Sequence, residues 1–360
     1  MTVGFHSPLP PARTGVADYA RSLLRALQRR TRVLVNAPAA DVRLYHLGNN
    51  QLHRDIYFQS LRAPGVVVLH DANLHHFYLG ALTEPEYVAE FVYNYGEWSR
   101  SFAADLYRSR ARSAADPRYF AFPMLRRVAE SARRIVVHNP AARRAVLAHA
   151  PHADVIEIPH LFDPPPLPEP AEVIRLRARL GVPAATLLVG VFGHLRESKR
   201  LPSLLRALPP DAVLLISGDF ASSDLERALT PLLGRPNIRR TPYLPEHDFW
   251  VHALAVDVCV NLRYPQSGET SGIGIRLMGL GKPVIATRSD SETVPEPAAI
   301  YIDPGAAEEE MLRAALEWLA TDLESAREIG RRAAAHIAGN HHIDRVAESY
   351  LDALQACQTG

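Results

Sequence analysis

Lysine is almost missing from this chain: of its 40 basic residues only Lys199 and Lys282 are Lys, and the other 38 are Arg. A chain that uses Arg wherever either cation serves keeps Lys where a compact point charge is needed, because an ammonium and a planar guanidinium are not interchangeable at tight sites. Lys282 stands in an undemanding turn, where chance retention explains it as well. Cysteine is scarce too. Cys259 and Cys357 lie far apart and form neither a disulfide framework nor a metal or redox spacing. Apolar runs are only strand-length, which excludes a membrane-spanning helix. The opening MTVGFHSP lacks a basic region followed by an apolar one, so no secretory leader is read there. A reduced cytoplasmic protein is expected. A GxGxxG fingerprint is absent, which counts against a standard NAD site. No basic stripe with interleaved aromatics occurs, which counts against nucleic acid as a partner.

What is present is ordinary in bulk and patterned in detail. With 360 residues, 47% hydrophobic and 22% charged, the chain exceeds the size at which one core stops growing, so two domains are expected. The net charge of +1 is unevenly divided: residues 1–165 carry 20 Arg against 14 acidic residues, and the remainder carries 20 basic against 25 acidic. The first half is thus mildly basic, either as scattered solvated charge or as a face for an anionic acceptor or the inner surface of a membrane.

Strand-like and helix-like segments alternate. TVGFH, RVLVNA, VRLYHLG, GVVVLHD, RIVVHN and DVIEIPH read as strands, with helical patterns between them and an aromatic, Arg-rich helical stretch over 83–132. The proline-dense DPPPLPEP (Asp163 to Pro170) continues neither helix nor sheet and reads as a stiff linker. The alternation then restarts with TLLVGVFG, AVLLISG, IRRTPYL, VDVCVNLR, PVIAT and AAIYID as strands. The expected organisation is a first α/β domain over 1–162, a linker over 163–171, a second over 172–340, and a C-terminal helix over 341–360. Both domains are expected to be doubly wound parallel sheets, whose ligands bind at the carboxyl ends of the strands.

Four segments carry candidate chemistry. In SPLPPARTGVADYA, prolines stiffen a strand-to-helix loop while Thr14 caps the helix and Gly15 allows close approach of a ligand. In GVVVLHD, His70 and Asp71 directly follow a buried strand, and Asn49 of LGNN belongs to a neighbouring loop on the acceptor side. His70 suits polarising or holding a sugar oxygen, and Asp71 suits accepting from a hydroxyl. His70, His75 and His76 lack a zinc spacing, and a capping Asp beside a packed His is the bland alternative. In GVFGHLRESKR, Gly193 precedes Arg196, Lys199 and Arg200 at a helix start, suited to a diphosphate; Tyr243 and Leu244 are placed for a base, and Arg263 for the phosphates. The stretch RYPQSGETSGIGIRLMGLGKPVIAT puts Glu269 where a loop turns into a helix, with Thr270, Ser271 and Gly272 behind it. Helix-start amides favour phosphate and a carboxylate favours sugar hydroxyls, which together point to a nucleotide sugar.

In SPLPPARTGVADY, LGNN, GVVVLHD, VVHNPAARRAV, IPHLFDP, GVFGHLRESKR and GETSGIGIRLMGLGKPVI, taken in order, the chain resembles the GT-B superfamily of glycosyltransferases, specifically the retaining group of family 4. The resemblance covers nearly the whole length. It implies two Rossmann-like domains facing across a cleft, donor bound mainly by the second and acceptor by the first, a last helix returning to the first domain, and no metal or other cofactor. It further implies that Gly15 faces the donor phosphates, His70 lies near the reacting sugar, Lys199 holds the diphosphate, and Glu269 matches the first Glu of the family's Glu-x7-Glu motif. Two positions depart from the pattern: His194 stands where an Arg is usual, and Arg276 stands where the second Glu falls. The implied activity is sugar transfer from a nucleotide sugar to a glycan, lipid-linked or small-molecule hydroxyl. The alternatives are a catalytically silent sugar-nucleotide-binding subunit, or a related epimerase or phosphorylase.

Overall fold

The computed structural model describes residues 1–12, 14–37 and 39–358, so Arg13, Pro38 and the last two residues lie outside the described chain. Among the described residues twelve strands form two six-stranded sheets, and every strand pair there is parallel. The first sheet contains β1 (Thr2–His6), β2 (Arg32–Val35), β3 (Val42–Leu47), β4 (Val66–Leu69), β5 (Arg134–Val137) and β6 (Val155–Glu157), in the order β2-β1-β3-β4-β5-β6. The second contains β7 (Leu188–Phe192), β8 (Val213–Ser217), β9 (Ile238–Thr241), β10 (Val258–Asn261), β11 (Val284–Thr287) and β12 (Ile300–Ile302), in the order β12-β11-β10-β7-β8-β9. The order in which successive strands are added turns back across the sheet between β1 and β3, and again between β7 and β10. Those two places are the switch points of the sheets, where such folds bind ligands.

Short, continuously apolar strands produce this arrangement because both faces of a parallel sheet are covered. Tyr45, Leu47, Val67, Leu69, Ile135 and Val137 join the core on one face of the first sheet. Val3, Phe5, Leu44, Val66, Val68 and Val136 alternate with them and pack on the other face, with Leu23 and Leu27 of the helix Gly15–Gln28 and Tyr350 and Leu354 of the helix Ile343–Gln358. In the second unit, Val189, Leu214, Val258 and Ile285 pack on one face of the sheet with Leu312 and Leu316.

The chain divides into one compact unit of Met1–Asp163, Pro265–Gly272 and His341–Gly360, and another of Pro164–Tyr264 and Ile273–Asn340. Two details differ from the sequence reading. The division falls inside the proline-rich stretch, whose end is already helical: Pro170 opens the helix Pro170–Arg179, with a capping box between Glu169 and Glu172. Residues 265–272, which the sequence reading gave to the second domain, pack with the first unit. Among the described residues no helix is long and apolar enough to cross a membrane.

Candidate functional site

In the first unit, adjacent strands each deliver a histidine at or near the carboxyl edge: His46 in β3, His70 after β4, His138 after β5 and His160 after β6. His46, His70 and His138 are buried and joined ring to ring, His46 Nδ1 to His70 Nε2 at 3.0 Å and His70 Nδ1 to His138 Nε2 at 3.2 Å. Their tautomers follow from one end. His138 Nδ1 lies 2.9 Å from the Ile158 carbonyl, which only accepts, so this nitrogen carries the proton and Nε2 accepts. His70 must then donate from Nδ1 and accept at Nε2, and His46 must donate from Nδ1. That leaves His46 Nε2 as a buried acceptor with no partner among the described residues, as observed. Burial, reinforced by neighbouring His138, His46, His160 and His53, holds His70 well below the ordinary histidine range. Burial likewise depresses His138 and His53, each to about 4. Tyr19 meets the His70 ring edge-on at 4.8 Å between centroids, and its hydroxyl lies 2.8 Å from that of Tyr350.

Both ring nitrogens of His70 are therefore engaged by other histidines, and a sugar hydroxyl can take one only by displacing a neighbour. Asp71 accepts from the Asn49 amide at 2.8 Å, and Asn49 Oδ1 accepts from the Phe77 amide at 2.8 Å. These two acceptor-side candidates thus tie the loops after β3 and β4 together. His75 bonds Tyr87 at 2.7 Å and the Phe122 carbonyl at 3.0 Å, as a packed histidine does. Gly15 opens its helix behind the Thr14 cap, and no described atom lies within 4 Å of where a β-carbon would stand.

The Glu269 loop joins these strand ends. Asn139 donates to the Gly268 carbonyl and to Thr270 Oγ1, both at 3.0 Å. Gly268 has φ +69°, and a β-carbon there would lie 2.8 Å from the Ala72 methyl, so only glycine fits. Gly272 passes close to His160, whose Nε2 would lie 3.1 Å from an added β-carbon. Glu269 accepts from the Ser267 amide at 2.7 Å, and the helix Gly272–Gly279 begins just beyond Ser271. The motif alignment needs one correction: six residues separate Glu269 from Arg276, so the x7 spacing falls on Gly268, one residue earlier.

In the second unit, Lys199 closes a single 3₁₀ turn, Glu197–Lys199, and its Nζ donates to the Phe192 carbonyl at 2.9 Å and reaches Asn261 Oδ1 at 3.5 Å. It therefore sits across the carboxyl ends of β7 and β10, at the switch point of that sheet. Gly193 follows β7 with φ +88°, and Gly218 follows β8 with φ +142°; a β-carbon on Gly218 would collide with the Gly193 carbonyl at 2.1 Å. Arg263 follows β10, its amide bonded to Thr287 Oγ1 at 2.9 Å, while Tyr243 is bonded through its amide to Asp219 at 3.2 Å and is exposed. Leu244 is half-buried beside it, and Arg196 is exposed.

Two basic residues have structural duties. Arg200, in a left-handed conformation, pairs with the buried carboxylate of Glu308, with Nη2 at 2.8 Å and Nε at 2.9 Å from Oε1. Lys282 donates to the Leu254 and Val256 carbonyls at 2.7 and 2.8 Å, and burial lowers its pKa. Both lysines thus place Nζ against backbone carbonyls. Arg276 stacks its guanidinium on Phe249 and Trp250, 4.4 and 4.2 Å from their centroids, 3.6 Å from Glu246. Arg200→Ala is expected to cost about 3 kcal/mol, because it strands a buried carboxylate, and thermal unfolding against Arg196→Ala checks it.

Sequence reasoning overlooked His46, His138, His160 and Asn139. The signal was there in part: β4 and β5 are both followed directly by His and then Asp or Asn, as LHD and VHN. Among the described residues no group of three His, Cys, Asp or Glu is arranged to hold one metal ion.

Two parallel doubly wound units with these strand orders form the GT-B architecture. Neither a family model nor a curated protein matches the chain. Solved structures do. HepE of Anabaena, in complex with UDP-glucose, aligns over 99% of this chain and 100% of its own with TM-score 0.69 at 17% identity. Sucrose-phosphate synthase from Thermosynechococcus elongatus aligns over 98% and 97% with TM-score 0.71 at 16% identity. WaaG, a glycosyltransferase involved in lipopolysaccharide biosynthesis, aligns over 98% and 99% with TM-score 0.60 at 14% identity. At these identities the likeness is one of fold.

Proposed function

We propose that this chain is a glycosyltransferase that moves a hexose from a nucleoside-diphosphate sugar to an acceptor hydroxyl. The observation that carries the reading is Lys199, whose ammonium stands at the switch point of the second sheet beside two glycine-bearing strand ends. That arrangement suits a diphosphate: a point charge beside two turns that carry no side chain. The shared fold with HepE, solved with UDP-glucose, supports the same ligand class.

In this reading Lys199, with Arg196 and Arg263, neutralises charge as the diphosphate leaves, and Tyr243 and Leu244 meet the base. Basic side chains and backbone amides take the part a metal plays elsewhere. In the first unit, Glu269 accepts from donor-sugar hydroxyls, while Asp71 and Asn49 order the acceptor loops. His70 is held neutral with both ring nitrogens bonded to other histidines, so it serves as a shaped wall rather than a cation. Retention of configuration follows if the leaving diphosphate shields the face that the acceptor attacks.

A second reading, a silent nucleotide-sugar-binding subunit, is favoured by Arg276, whose engagement with Phe249 and Trp250 leaves the motif's second carboxylate unreplaced. Release of nucleoside diphosphate from a panel of UDP-, GDP-, ADP- and TDP-sugars separates the two. Transfer or slow hydrolysis supports the enzyme, and binding without any turnover supports the subunit.

A further inference from the structure

The segment 265–272 lies in sequence between β10 and β11 of the second sheet, yet it is built into the first unit. Three first-unit loops hold it, one from each of three neighbouring strands. After β4, Ala72 packs against Gly268; after β6, His160 lies against Gly272. Between them, after β5, Asn139 makes the polar link, with Nδ2 donating to the Gly268 carbonyl and Thr270 Oγ1, each at 3.0 Å. Those two partners flank Glu269.

Asn139 has a second task that fixes its orientation. It is the N-cap of the helix Pro140–His149, where its Oδ1 accepts from the Ala142 amide at 2.8 Å. An amide must meet Oδ1, and a carbonyl must meet Nδ2, so the side chain cannot be turned over without losing both ends. The residue is 1% exposed, so water does not replace the bonds it makes. The adjacent His138 is the residue that sets the tautomer of His70. One short strand end therefore orients both His70, through His138, and the Glu269 loop, through Asn139.

We propose that Asn139 is a positioning residue for Glu269, holding the loop that carries this carboxylate in register with the strand ends bearing His70. The inference rests on the glycosyltransferase reading for its kinetic consequence, but the anchor itself is tested without any substrate.

Asn139→Asp separates the two tasks of the side chain. Aspartate keeps the cap, since its oxygen still accepts from the Ala142 amide, and it turns a carboxylate oxygen toward the Gly268 carbonyl in place of a donor. Amide exchange is measured on the full chain for peptides spanning 265–272 and 140–149. The variant is expected to speed exchange in 265–272 by about tenfold, as loss of a buried hydrogen bond does, with 140–149 unchanged. With a donor that the wild type turns over, kcat is expected to fall about 10- to 100-fold, as misplacement of a reacting group does, with a smaller change in KM. Thr270→Val, which removes one of the two acceptors, is the second variant should the first fold poorly, and an intermediate loss is expected. Wild-type exchange in 265–272 for both variants would overturn the anchor. Faster exchange with unchanged kcat would overturn the positioning role. If the wild type turns over no nucleotide sugar, the functional reading fails, and the anchor is still decided by the exchange.

Discussion

Acidification from pH 6.5 to 4 is expected to unfold the first unit. His138 and His53 titrate at about 4 in the folded chain because they are buried, and burial lowers His46 and His70 as well. An unfolded chain takes up the same protons near pH 6.5. As pH falls through this window the unfolded state therefore binds protons that the folded state refuses. The stability is fully present above about 6.5 and is lost toward 4. Each histidine contributes a slope of about 1.4 kcal/mol per pH unit, so His138 and His53 alone remove roughly 3 kcal/mol each by pH 4. That is a large part of the 5–15 kcal/mol typical of a domain. The neighbours that lower His70 further are themselves histidines, His138, His46, His160 and His53. Thermal unfolding followed from pH 7.5 to 4 checks this. His138→Gln, which does not titrate, is expected to flatten the acid limb by about one proton. An unfolding temperature that stays level between pH 6.5 and 4.5 would show that the chain is not held neutral.

Glu269→Ala is expected to lower kcat/KM for the donor by about 10²- to 10³-fold. A hydrogen bond to a charged group contributes about 1.5–3 kcal/mol, and one carboxylate accepts from two sugar hydroxyls. The side chain also holds its own loop through the Ser267 amide at 2.7 Å, so truncation alone mixes two effects. Glu269→Gln keeps an oxygen for Ser267 and loses only the charge. It is expected to cost about tenfold, mainly in kcat, with a melting temperature within a degree or two of wild type. Equal rates in wild type, Gln and Ala variants would remove Glu269 from the site.

The sheets were legible because strands buried on both faces read as short apolar runs, and VVVL and RIVV stand out without help from the rest of the fold. The helix Pro170–Arg179 was hidden by the prolines before it, although Glu169 and Glu172 spelled its capping box. Lys199 was readable from its scarcity and its position after a strand. The histidine chain was not, since it exists only once β3, β4 and β5 lie side by side. Arg200 looked like one more cation for the diphosphate because Glu308, which holds it, is 108 residues away. For the same reason the loop around Glu269 was placed with its sequence neighbours rather than with Asn139, 129 residues before Gly268.

In the proposed function, the switch point at Lys199 receives the diphosphate of a nucleotide sugar. Its most direct test is calorimetric titration of wild type and Lys199→Ala with UDP-glucose and, failing that, GDP-, ADP- and TDP-sugars. The wild type is expected to bind one of them, and the variant to bind it at least tenfold more weakly, the loss expected when a close charge pair worth about 1.5–3 kcal/mol is removed. Equal affinity in both proteins, or no binding of any nucleotide sugar by the wild type, would contradict it.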